Sequence, residues 1–166
     1  MVRVVLFIAA ALTVAAPALA QEPVGCDKFK WPLERERALL ASPTPMRSGA
    51  TMPQPVGTAV SVALVPDASA KLPAPPSRPP KAAGRYAGFI NAAAVPNAGT
   101  YRVTLSAAAW IDVVQNRHTL QSTAFSGASG CAGIAKSVKF ELGAAPFTVE
   151  ISGASATALT FVVTPD

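Results

Sequence analysis

The sequence predicts a mainly β protein, an antiparallel β-sandwich of jelly-roll type with a short N-terminal helix. Three observations carry this. Apolar residues alternate with polar or small ones over short runs from Thr58 onward. About eight such runs recur at intervals of roughly ten residues. Gly, Pro and Asn clusters separate them, which is the turn chemistry of sandwiches and jelly rolls.

The chain opens on a leader. Arg3 gives a positive start, Val4 to Ala16 are apolar, and Pro17 then interrupts any helix. Ala18-Leu19-Ala20 supplies the small residues that a signal peptidase reads, so residues 1–20 are expected to be a signal peptide cleaved before Gln21. With that leader removed, no transmembrane segment is expected, and the destination is the periplasm or the exterior.

Residues 21–41 form the next unit, a short helix. Pro32 suits a first helical turn, where its missing N–H leaves no hydrogen bond broken. Glu34 to Ala41 are good helix formers, with Glu34 and Arg37 at i,i+3 spacing. Leu33, Leu40 and Ala41 share one face, with Arg37 on the same side, its stem along apolar surface and its head in water. So short a helix is marginal alone and is expected to dock, with Phe29 and Trp31 adding apolar bulk.

Residues 42–57 contain four prolines and read as a connector, leaving 58–166 for the sandwich domain. "TAVSVALV" (58–65) is expected to be one strand. Residues 66–84, with six prolines, read as an extended loop or an edge-hugging segment. Strands then follow in "RYAGFIN", "TYRVTLS", "AWIDVVQ", "TLQSTAF", "KSVKFEL", "FTVEISG" and "ALTFVVTP", with "NRH" as a turn and "SGASGCAG" as a Gly-rich loop.

Several chemistries are poorly served. The only histidine, His118, cannot supply the two or three that iron oxygenase and catalytic zinc sites use. Clustered Asp and Asn for calcium are also missing, so neither metal nor cofactor is expected. The run from Gly127 fails the G-x-S-x-G pattern, because Gly130 and Cys131 follow Ser129. Gly130, Lys136 and Ser137 fall in register for a phosphate loop, but Ala135 occupies the second glycine position and no βαβ pattern surrounds it. The net charge of +5 is scattered rather than striped, which argues against nucleic acid.

Three residues are candidates for a ligand contact: Trp110, Asp112 and His118. Asp112 stands among Trp110, Ile111, Val113 and Val114, so its carboxylate needs hydrogen bonds or a cation. The structural alternative has it bonding turn N–H groups or Arg102 across the sheet. His118 reads first as an exposed turn residue.

The two cysteines, Cys26 and Cys131, are expected to form a disulfide, since an exported chain with two cysteines has one possible pair. The bridge would fasten the weak helix to the sandwich. The rival readings are acylation of Cys26, which follows Val24-Gly25 but has Pro23 where Leu is usual, and two unrelated buried thiols.

The stretches "AGTYRVTLS", "AWIDVV" and "SVKFEL", within about the last 85 residues, resemble an uncharacterised group of exported proteobacterial proteins. Their C-terminal part is similar to the bacterial pre-peptidase C-terminal domain, a small β-sandwich appended to secreted enzymes. The resemblance implies a jelly-roll-like fold and no established catalytic residues, although no enzyme domain precedes the module here. The reading that follows is a non-catalytic envelope β-sandwich that binds a protein or glycan. The alternative is a small periplasmic enzyme whose acids, Ser and His meet only in the fold.

Overall fold

The computed structural model describes residues 23–80 and 82–166; the expected signal peptide, residues 1–20, lies outside the described residues. Eight longer strands make the frame: β3 (Ala59–Ala63), β5 (Tyr86–Ala92), β6 (Gly99–Leu105), β7 (Trp110–Gln115), β9 (Ser122–Gly127), β10 (Lys136–Leu142), β11 (Phe147–Ala154) and β12 (Ala158–Pro165). Shorter ones extend it: β1 (Thr44–Arg47), β2 (Thr51–Met52), β4 (Val65–Pro66) and β8 (His118–Thr119). The helix α1 spans Glu34–Leu40.

Two sheets face each other. The first runs β1-β3-β12-β6-β10-β9 and the second β2-β5-β11-β7-β8, with β4 also paired to β5. Most successive strands cross from one sheet to the other, β4–β5, β7–β8 and β9–β10 being the pairs that stay within one, and β3-β12-β6-β10 and β5-β11-β7-β8 stand in jelly-roll order. The predicted fold class is therefore the observed one.

Period-2 alternation builds the core. Tyr101, Val103 and Leu105 of β6, Val138, Phe140 and Leu142 of β10, and Phe161 and Val163 of β12 face inward from the first sheet. Ile90, Ile111, Val113, Phe147, Val149 and Ile151 meet them from the second. Gly88 marks a close approach, since a Cβ there would sit 2.9 Å from Leu64 Cδ2.

Two expectations need correction. The segment 42–57 is more than a connector, because β1 pairs in parallel with β3 and β2 in parallel with β5. Pro45 is tolerated because β1 is an edge strand, where a missing N–H breaks no inner ladder. The single strand expected over 58–65 is two: the chain leaves β3, buries Leu64 and joins β5 in the other sheet through β4.

Each sheet's outer surface carries a covering segment. Residues 23–41 lie over the first sheet, where Lys30 N–H donates to Ser126 Oγ and Trp31 Nε1–H to Ser137 Oγ, itself paired with Thr104 Oγ1. Leu33 packs with Cys131 and Ile134, flanked by Phe29, Trp31 and Leu40. The helix face differs from expectation. Glu36, 1% exposed, joins Leu33 on the buried side, accepts from Thr164 Oγ1 at 2.6 Å and lies 3.4 Å from Arg102. An acid can be buried there because β12 and β6 supply a hydroxyl and a guanidinium. Cys26 and Cys131 are joined by a disulfide, with Cα atoms 4.7 Å apart.

Candidate functional site

The second covering segment forms the site. Asp112 of β7 and Glu150 of β11 are direct cross-strand partners. Ile111, Val113, Val149 and Ile151 point into the core, so the two acids point out of it, as period-2 geometry requires. They are nonetheless 5% and 1% exposed. The proline-rich residues 66–80 close over them. Ala74 N–H donates to Glu150 Oε1 at 2.8 Å, and Ser77 gives Asp112 both its backbone N–H, at 3.0 Å, and its hydroxyl. Proline supplies no N–H, so the segment contributes its donors through Ala74 and Ser77 between the prolines.

Electrostatics separates the two acids. Burial raises the Glu150 carboxyl above the ordinary value and the Asp112 charge raises it further, against the Ala74 N–H, which lowers it. Among the described residues Glu150 Oε2 has no hydrogen-bond partner. Asp112, with two donors from Ser77 and a third from Trp110 Nε1–H at 3.2 Å, is the better-solvated charge.

Trp110, at the start of β7, joins this cluster to two cations. Its Nε1–H is shared between Ser77 Oγ at 2.9 Å and Asp112 Oδ1. Arg78, on the proline-rich segment, lies over its ring at 5.2 Å from the centroid. Lys136 Nζ, reaching across from the first sheet, lies at 4.5 Å and also donates to Ala109 O. Burial lowers the Lys136 pKa and the Arg78 charge adds to that, while Asp112 opposes it. Among the described residues neither cation has a carboxylate within salt-bridge distance.

Of the three residues singled out in the sequence, Trp110 and Asp112 come together and His118 does not join them. Asn116 and Arg117, with φ of 53° and 65°, make the tight turn from β7 to β8, and His118 is exposed beyond it, paired with Gln115. Gln115 lies three positions along the strand from Asp112, a rise of about 10 Å. The Asp112–Arg102 pairing is corrected: Arg102 belongs to the opposite sheet, bound to Glu36, Asp166 and Pro32 O. Lys136 and Ser137 open strand β10 rather than a helix, so the phosphate-loop register has no structural counterpart. Ser77, Arg78 and Glu150 were not singled out. Glu150 looked like an ordinary outward residue, and nothing local ties Ser77 to a strand 35 positions away.

The described residues also line open hollows on the two covered faces. One of about 600 Å³ runs beneath the proline-rich segment, lined by Leu72, Pro75, Pro76, Ala87 and Ser152 among others. Another of about 370 Å³ adjoins the disulfide. Among the described residues no group of three or more His, Cys, Asp and Glu could hold a metal ion, and no helix is long and apolar enough to cross a membrane.

Comparison of the chain with protein-family models, curated proteins and solved structures finds no match.

Proposed function

We propose that the chain is a non-catalytic, exported β-sandwich that binds an anionic component of the cell envelope, an acidic glycan, at Trp110, Arg78 and Lys136. The observation that carries this reading is the pair of cations over one partly exposed indole, neither of them neutralised by a carboxylate among the described residues. A uronic acid offers the complement. Its carboxylate can accept two parallel N–H bonds from the Arg78 guanidinium, and its apolar ring edge can pack against the indole. Asp112 cannot discharge the cations alone, since Ser77 and Trp110 already occupy its oxygens. Those same bonds speak against acid–base catalysis, because a reacting group would have to displace the proline-rich segment to reach either acid.

The envelope location rests on the leader, which would leave Gln21 as the first mature residue, and on a disulfide suited to an oxidising compartment.

Electrophoresis through gels containing polygalacturonate or neutral dextran tests the reading. The acidic polymer should retard the protein, neutral dextran should not, and Arg78→Ala with Lys136→Ala should remove the retardation. Removing an exposed charge elsewhere, Arg47→Ala, should change little. Equal losses in both variants would mean nonspecific charge attraction and would overturn the proposal.

A further inference from the structure

The disulfide has a feature that a simple staple does not need. Arg37 of α1 directs one guanidinium nitrogen to both sulfurs, 3.1 Å from Cys26 Sγ and 3.2 Å from Cys131 Sγ. Its other terminal nitrogen is fixed by Ala132 O at 2.8 Å. Among the described residues Arg37 pairs with no carboxylate, although Glu34 stands one helical turn before it. A disulfide sulfur is a poor acceptor and carries no charge. A guanidinium there gains little from the bridge and much from a thiolate.

The two sulfurs also differ in access. Cys26 is exposed and lines the open hollow of about 370 Å³ together with Phe29, Lys30, Trp31 and Arg37. Cys131 is 8% exposed and packs against Leu33 and Ile134. An incoming sulfur can therefore approach Cys26 along the hollow, with Cys131 on the far side of the bond it must break.

We infer that the Cys26–Cys131 bridge is a thiol–disulfide exchange site, attacked at Cys26 by the thiolate of a small thiol and assisted by Arg37. The thiolate donates an electron pair to Cys26 Sγ and forms a mixed disulfide. The Cys26–Cys131 bond breaks and its electron pair passes to Cys131 Sγ, which leaves as a thiolate beside the guanidinium. No other oxidant or reductant takes part, and the reverse step restores the bridge. The Arg37 guanidinium, 3.2 Å from Cys131 Sγ, stabilises the charge on the leaving sulfur, and a better leaving group departs faster. The N-terminal segment then stays on the sandwich through non-covalent contacts, among them those of Glu36, Trp31, Lys30 and Leu33.

The test uses the folded, oxidised protein with glutathione as probe, quenched by alkylation and mapped by peptide mass. Glutathione should appear on Cys26 and the alkyl group on Cys131. Arg37→Gln should slow the exchange about tenfold, and Arg37→Lys, which keeps the charge, should restore most of the rate. Glutathione found on Cys131, a rate in Arg37→Gln equal to or above the parent's, or no reaction before denaturant is added would each overturn the inference. The site of attachment is read in the parent protein, so it stands whether or not the variants fold.

Discussion

Glu150 stands directly across from Asp112 in the adjacent strand, and both carboxylates are buried beneath the proline-rich segment that donates to them. Two acids on one outer face would ordinarily be left in water. Here Ala74 and Ser77 take the place of that water, and the segment becomes part of the sandwich through them.

This pair sets a pH dependence. The Glu150 carboxyl is raised above its ordinary value of 4.5, so between that value and the raised one the folded chain holds a proton that the unfolded chain has released. Stability contributed by Glu150 is complete at lower pH and is lost as pH rises through that window. Glu150→Gln keeps an acceptor for Ala74 N–H and removes the charge. Thermal unfolding should show this variant above the parent at pH 7 and level with it near pH 4. A variant that loses more stability at pH 7 than at pH 4 would contradict the assignment.

Val113 is fully buried between the sheets. Val113→Asp would place an unpaired charge there and should cost several kcal/mol, on the order of the whole margin of a small domain. Chemical denaturation measures it, and an unchanged midpoint would mean that β7 faces the other way.

Glu36 ties the N-terminal helix to both β12 and β6. Glu36→Ala leaves Thr164 without its acceptor and Arg102 without a buried counter-charge, and should cost about 3 kcal/mol. Hydrogen exchange should locate the loss in residues 23–41. A surface-like effect of about 0.5 kcal/mol or less would show that the helix is not docked through this acid.

Much of the fold was legible because burial and strand period agree. Val103, Val138, Phe140, Val149 and Phe161 sit at the alternate positions their segments advertise, and all are core. The Asn116-Arg117 turn and the Cys26–Cys131 pair follow from chemistry that is local or combinatorially unique. The parts that were not legible depend on distant partners. Thr44–Arg47 has no alternation of its own and becomes a strand only because β3 offers an open edge. Glu36 stands in the charged run Glu34-Arg35-Glu36-Arg37, and only Thr164 and Arg102 make its burial tolerable. The site was half legible. Trp110 and Asp112 drew notice as an aromatic and an acid in an apolar run, whereas Arg78, Lys136 and Ser77 reach them from other segments.

The most direct test of the account follows the two indole N–H signals in a ¹⁵N-correlated spectrum while an oligogalacturonate is added. Trp110 should shift saturably and Trp31 should not, the shift should weaken as salt rises, and Arg78→Ala with Lys136→Ala should abolish it. A Trp110 signal that stays fixed, or that shifts equally in the double variant, would contradict the assignment of this cluster as an anion-binding site.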